Sequence, residues 1–205
     1  MAFAYIVGVD EVGRGPIAGP LCVGACVLVR AHGAKFFTSV RGLKDSKQLP
    51  AHKREEWVKV LRTLEESGCI RLSTAFVSEK QIDTYGMAFA LSRAVRNALR
   101  LVHIPAHRSF VMLDGTLRAP AEYLFQESVI GGDEVDLLIA SASIVAKVRR
   151  DAYMKRIGRL FPQYEFEVHK GYGTKKHYEA LAKHGVCPAH RKSFLRNFQL
   201  SVSSE

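Results

Sequence analysis

Apolar and polar positions along the chain follow two periods, and the switches between them mark out the elements. The runs at 5–9 (YIVGV) and Leu21–Val29 (LCVGACVLV) are continuously apolar, rich in small and β-branched side chains, and predict two buried strands. Ile70, Leu72, Thr74 and Phe76 alternate with their neighbours, the pattern of a half-buried strand over Ile70–Val77. Trp57, Val58, Leu61 and Leu64 line one stripe, which predicts a helix over 50–67 stopped by Gly68. Ser78 with Gln81 three residues later forms a capping box that opens a long helix to about Val102, interrupted softly at Gly86. A short strand at 109–113 runs into Asp114-Gly115, and 122–130 reads as a further strand ending at Gly131-Gly132-Asp133. Leu137–Leu160 predicts a helix whose stretch 140–146 carries unusually small side chains, so that it can approach a sheet closely, and Pro162 ends it. Gly171-Tyr172-Gly173-Thr174 opens a last helix to about Lys183.

Strands that first cluster as a meander and then alternate with helices predict a mixed sheet in an α/β layer architecture. A chain of 205 residues, 47% hydrophobic, fits one domain, or one domain with a small appendage. No run approaches the ~18 apolar residues of a membrane span, and the start lacks the pattern of a secretory leader. The four cysteines show no C-x-x-C spacing, and Cys22 and Cys26 point to one face of one strand, too far apart to bridge; reduced thiols in a cytoplasmic protein are expected. Charge is uneven. Residues 1–146 carry 17 Lys/Arg against 15 Asp/Glu, and residues 147–205 carry 13 against 5. The basic third reads as a polyanion-binding surface or as a solvated basic one.

Asp10 and Glu11 stand where the first strand gives way to the turn Gly13-Arg14-Gly15-Pro16. Asp114 and Asp133 also follow strands. Ligands of open α/β sheets bind at the carboxyl ends of strands. If the first, fourth and fifth strands are neighbours, four carboxylates converge, and their mutual repulsion calls for cations. Two hard divalent ions would neutralise them and act on a phosphodiester. Each acid taken alone reads first as an ordinary solvated turn residue, and it is the set of four at strand ends that points to chemistry. The glycines fit neither a dinucleotide fingerprint, which must open a helix, nor a phosphate-binding loop, which needs Lys-Ser/Thr after its second glycine. What remains is a tight loop that can press against a ligand, with Arg14 beside it.

The block Val9-Asp10-Glu11-Val12-Gly13-Arg14-Gly15-Pro16-x-Ala18-Gly19-Pro20 resembles the signature of the type 2 ribonucleases H, specifically the bacterial ribonuclease HII family. Later blocks agree in order: Leu43-Lys44-Asp45-Ser46-Lys47, Leu113-Asp114-Gly115, Gly132-Asp133, the small-residue stretch through Lys147, Arg150 and Asp151, His169-Lys170-Gly171-Tyr172-Gly173-Thr174, and Pro188-x-His190-Arg191-x-Ser193-Phe194.

The resemblance implies a ribonuclease H-like three-layer α/β fold with a mixed five-stranded sheet and a small helical C-terminal region, divided as a catalytic domain over 1–160 and a basic, mainly helical region over 161–205 packed on it. It implies an endoribonuclease that hydrolyses the phosphodiester 5′ to a ribonucleotide, in RNA–DNA hybrids or embedded in duplex DNA, leaving 3′-hydroxyl and 5′-phosphate ends. Asp10, Glu11, Asp114 and Asp133 would be the catalytic carboxylates, holding two Mg2+ or Mn2+ ions. Gly13, Arg14 and Gly15 would read the ribose 2′-hydroxyl, the group that separates RNA from DNA at one site. Tyr172 would meet the sugar beyond the ribonucleotide, though a core tyrosine is its plain alternative. Lys44, Ser46, Lys47, Lys147 and Lys170 are candidate phosphate contacts, each also readable as solvated surface. Asp151 is expected in an ion pair. His169, His177 and His190 match family positions with no spacing for zinc. Many members carry lysine where this chain has Gly131, and a small residue where it has Glu165. The tail shows no sliding-clamp motif, and nothing demands more than a monomer.

Overall fold

A computed structural model of the chain describes residues 2–43 and 49–195. Its elements in chain order are β1 (Tyr5–Val12), β2 (Leu21–Val29), α1 (Gly33–Ser39), α2 (Ala51–Glu66), β3 (Ile70–Val77), α3 (Glu79–Leu101), β4 (Ser109–Asp114), β5 (Gln126–Val129), α4 (Gly132–Val135), α5 (Leu137–Leu160), α6 (Phe166–His169) and α7 (Lys175–His184). The sheet order is β3-β2-β1-β4-β5. β1, β2 and β3 form the antiparallel meander, and β4 and β5 add parallel to β1.

The strand parity sorts the side chains into two cores. Val7 and Val9 of β1, Leu21, Val23, Ala25 and Val27 of β2, and Val111 and Leu113 of β4 pack under α3. The alternate residues, among them Ile6, Cys26, Leu28 and Met112, meet α1, α2 and α5 on the other face. β1 is therefore buried on both sides, which is why its sequence reads as an unbroken apolar run. The close fit of α5 needs two glycines: a Cβ at Gly8 would overlap the Leu138 backbone, and one at Gly24 the Ala142 backbone. Here lies the use of the small side chains of α5. A third cluster, with Ile17, Met154, Phe166 and Leu181, packs the C-terminal segments onto the far half of α5.

Capping follows the sequence closely. Ser78 and Gln81 make the reciprocal box at the start of α3, and Gly86, at φ 82°, kinks that helix. Asp136 accepts the N–H groups of Leu138 and Ile139 at the start of α5. Thr174 caps α7, so this helix begins at Lys175 rather than at the glycines before it.

Three boundaries differ from the sequence reading. β1 continues through Asp10 and Glu11 to Val12, because β2 still pairs with it there, although pairing with β4 ends at Val9 opposite Leu113. The strand expected over 122–130 shrinks to Gln126–Val129. The Gln126 side chain bonds Ala119 N, Ala119 O and Tyr123 O, and Tyr123 N bonds Pro120 O, so the preceding backbone closes on itself. Asp133 is not a strand end: Gly131, at φ 64°, turns the chain out of β5 and into α4, whose first turn carries Asp133. All four cysteines are buried and free. No helix among the described residues is long and apolar enough to cross a membrane.

Because α5 touches the sheet through backbone at Gly8, Gly8→Val should lower the thermal unfolding midpoint by roughly 5–10 °C, the scale of overpacking in a domain of this size. A midpoint unchanged by calorimetry would mean that α5 can lift off the sheet at little cost.

Candidate active site

Asp10 and Asp114 occupy the first rung beyond the last β1–β4 pair, and by parity both lie on the α5 side of the sheet. Glu11 follows on β1. Ligand oxygens of Asp10, Glu11 and Asp114 all lie within 4.8 Å of one another. Backbone donors hold the cluster: Glu11 N bonds Asp10 Oδ1 at 2.7 Å, and Gly132 N bonds Asp114 Oδ1 at 2.7 Å. Asp133, next to Gly132, is buried, and its charge is felt at Asp10, but it stands outside the group of three. Its neighbours separate from it plainly. Glu134 is exposed, and Asp136 is occupied as the cap of α5.

Asp10 is 3% exposed. Burial pushes its carboxyl from the ordinary 3.8 to about 8; a hydrogen bond from Ser143 opposes this, while Asp114, Glu11 and Asp133 add to it. Burial also raises Glu11, and Arg14, 3.6 Å away, pulls it back. All these donors are carboxylate oxygens, and a cation among them would relieve the repulsion they impose on one another. That donor set fits a hard divalent ion.

The glycine loop is fixed by two buried arginines for which the sequence alone indicates no role. Arg150 of α5 donates from Nε to Pro20 O (2.9 Å), from Nη1 to Lys170 O (2.9 Å) and from Nη2 to Ala18 O (3.2 Å). Arg191 donates from Nε to Gly19 O (2.8 Å), from Nη1 to Arg14 O (2.9 Å) and from Nη2 to Gly13 O (2.6 Å). Gly13, at φ 91°, lies so close to the Arg150 guanidinium that a Cβ there would overlap it. Arg14 and Gly15 form the exposed tip of the loop, and a Cβ at Gly15 would meet nothing within 4 Å. The segment carrying Tyr172 is tied to the same loop, since Ile17 N and Ala18 N both bond Gly171 O. Tyr172 itself is 48% exposed.

Ser143, Lys147 and Arg150 recur at i, i+4 and i+7 on one stripe of α5, leading from Asp10 past the loop. Lys147 pairs with Asp151 at 2.7 Å, and Arg54 of α2 reaches the same carboxylate at 3.4 Å, so Asp151 is in an ion pair. Lys170 directs its amine to the Glu167 carbonyl. Lys44, Ser46 and Lys47 lie outside the described residues. A cleft of about 400 Å³ lies beside the glycine loop on the α3 side, lined by Arg14, Leu91, Thr116 and Arg118.

A mixed five-stranded sheet with clustered carboxylates on its first and fourth strands defines a ribonuclease H-like nuclease. The ribonuclease H2 of Pyrococcus horikoshii shares the fold, with a TM-score of 0.75 at 24% identity over 98% of this chain and 100% of that one. A ribonuclease HIII solved with Mn2+ aligns at a TM-score of 0.72 and 20% identity, over 99% of this chain and 70% of that one. The chain belongs to the ribonuclease HII family, whose model matches residues 7–197, and it is a ribonuclease H endonuclease. A ribonuclease HII of Caldicellulosiruptor bescii is 41% identical over 195 residues, 95% of this chain and 88% of that one.

The raised Asp10 carboxyl carries a sign for stability. The unfolded chain releases this proton near 3.8 and the folded one near 8, so the fold binds the extra proton between those values. Stability of the metal-free protein therefore falls as pH rises across that window. Asp10→Asn should lessen the fall, to which the raised Glu11 also contributes, and raise the midpoint of the metal-free protein at pH 8 by roughly 5 °C. Equal pH dependence of the two proteins, measured by thermal unfolding with chelator, would rule out this source of strain.

Proposed function

We propose that this endonuclease hydrolyses the phosphodiester on the 5′ side of a ribonucleotide paired with DNA, leaving a 3′-hydroxyl and a 5′-phosphate. Its substrates on this reading are RNA–DNA hybrids and duplex DNA carrying embedded ribonucleotides. The observation that carries it is the pairing of two features: a three-carboxylate oxygen cluster, and an exposed glycine tip anchored from behind by Arg191.

Asp10, Glu11, Asp114 and Asp133 would hold the metal, two ions of Mg2+ or Mn2+. When bound, such a pair supplies positive charge to the attacked phosphate and polarises the attacking water. The ribonuclease HIII neighbour is a complex with Mn2+, which supports the choice of ion. The carboxylates would act as ligands rather than as general bases, a role that requires Asp10 in its ionised form. Ser143 orients the Asp10 carboxylate through its hydroxyl. Gly13, Arg14 and Gly15 meet the ribose: the arginines fix the loop's carbonyls, so the tip approaches the sugar without rearranging, and no side chain at Gly15 stands in the way. Tyr172 presents its exposed ring to the next sugar. Residues 161–205 act as a basic region that grips the duplex beside the catalytic part, and Lys44, Ser46, Lys47, Lys147 and Lys170 remain its candidate phosphate contacts. Lys147 and Lys170 would exchange their internal partners for phosphate. A cytoplasmic monomer is the setting this reading assigns.

A duplex with one ribonucleotide should be cut 5′ to it when divalent ion is added, while the same all-DNA duplex stays intact. Cleavage of the all-DNA duplex would favour a junction-resolving nuclease of the same fold. Asp10→Asn should lower the rate by more than the ~10–100-fold that losing an outer-shell partner costs, with duplex binding kept.

Gly15→Val provides a sharper check, because Gly15 has space around it and no left-handed backbone. Its midpoint should match the parent's while cleavage at the ribonucleotide falls about tenfold or more. Full activity in that variant would remove the loop from sugar recognition.

A further inference from the structure

Three histidines lie behind Tyr172, apart from the carboxylates. His177 of α7 and His190 are 0% and 2% exposed, and their Nε2 atoms are 3.0 Å apart. Two ring nitrogens at that distance share one proton, so one donates and the other accepts. The outer ends decide which. Nδ1 of His190 receives the Cys187 N–H at 2.9 Å and is therefore an acceptor, which leaves the proton of that ring on Nε2. Its longer 3.3 Å approach to the Cys187 carbonyl cannot be a donation without turning this amide against a second donor. Nδ1 of His177 faces the Tyr172 carbonyl at 2.8 Å, a group that only accepts, so Nδ1 carries the proton and Nε2 receives. Both ends give one direction: Cys187 N–H to His190, His190 to His177, His177 to Tyr172. Burial pushes both rings to a pKa of about 4, which keeps each neutral with a single proton at neutral pH. His169 stacks on His177 with ring centroids 4.2 Å apart, and its Nδ1 accepts the Gly171 N–H at 3.2 Å.

We infer that His177 and His190 are positioning residues, whose relay sets the main chain of Tyr172 and thereby the place where its ring meets the substrate sugar. This rests on the sugar contact proposed above. The residue is about half exposed, so the backbone that carries the ring bears directly on where it stands. Lys170 and Gly171 before it are both left-handed, at φ 53° and 86°, a conformation that a lysine keeps only where its surroundings over-determine it. Those surroundings are hydrogen bonds. Tyr172 N bonds His169 O at 3.0 Å, and Tyr172 O accepts both Thr174 N at 2.9 Å and His177 Nδ1. Apolar side chains could fill the same volume, but they would not fix the direction of that carbonyl. Since Gly171 O also receives Ile17 N and Ala18 N, a shift of this segment is passed to the glycine loop.

The test uses the full chain with His190→Gln and His190→Leu, and Tyr172→Ala as reference. A glutamine amide can donate where Nε2–H does, whereas leucine fills space and donates nothing. Cleavage is measured on two substrates, one ribonucleotide followed by DNA and a continuous RNA–DNA hybrid. His190→Leu should lower kcat/KM for the first relative to the second by about tenfold, in parallel with Tyr172→Ala, and His190→Gln should hold the ratio within about twofold. Equal loss on both substrates in the glutamine and leucine variants would mean packing alone and would overturn the inference. Nitrogen-15 shifts of the histidine rings in the unaltered protein give a check that needs no variant to fold. The expected tautomers at pH 7 are Nε2–H for His190 and Nδ1–H for His177, and any other pair overturns the relay itself. A ratio moved by His190→Leu but not by Tyr172→Ala overturns the sugar contact and the functional half of the inference, while the tautomers then still report on the relay.

Discussion

Arg150 and Arg191 place two guanidinium groups in the interior, each fully shielded from solvent, and give their donors to main-chain carbonyls rather than to carboxylates. Burying such an ion costs several kcal/mol, and hydrogen bonds to charged groups return about 1.5–3 kcal/mol each. With three bonds apiece the balance is near even, so the arginines contribute geometry more than net stability. Burial draws the Arg191 pKa down to about 10, still far above neutrality, and the buried Glu79 supports its charge. Phe194 lies 5.2 Å from the same guanidinium and shields it. The outcome is a loop whose carbonyls point inward, with Arg14 and Gly15 held out at its tip.

Much of this is legible in the sequence where one local rule acts alone. The boundaries of β2, β3 and α5, and the capping box of α3, follow from apolar periodicity and cap chemistry, because no distant contact competes there. β1 runs three residues past its apolar stretch, since pairing with β2 keeps Asp10 and Glu11 extended whatever their charge. The strand before Gly131 is shorter than its pattern for the opposite reason: the Gln126 side chain satisfies backbone that would otherwise seek a ladder. Short helices such as α1, which buries little beyond Phe36, leave too few periodic positions to read.

At the site, the three clustered acids are visible as acids placed at or next to strand ends, and their meeting depends only on β1 and β4 being neighbours. Ser143 is hidden among small residues, where a hydroxyl looks like one more compact side chain. Arg150 and Arg191 give no composition signal at all, because a basic side chain in a basic third of a chain reads as surface. Only the i, i+7 spacing from Ser143 to Arg150 hints that this arginine shares the inward stripe of α5. The lysines show the reverse problem. Lys147 and Lys170 read from the sequence as free surface cations, yet internal acceptors engage them.

The loop at residues 13–20 takes its shape from side chains that come 130 to 178 positions later in the chain. During synthesis the strand bearing Asp10 and Glu11 emerges first, but Arg191 leaves the ribosome among the last residues of the described fold. A nascent chain thus lacks the anchors of this turn until residue 191 has been added. The turn beside the carboxylates is thereby among the last parts of the described fold to be fixed.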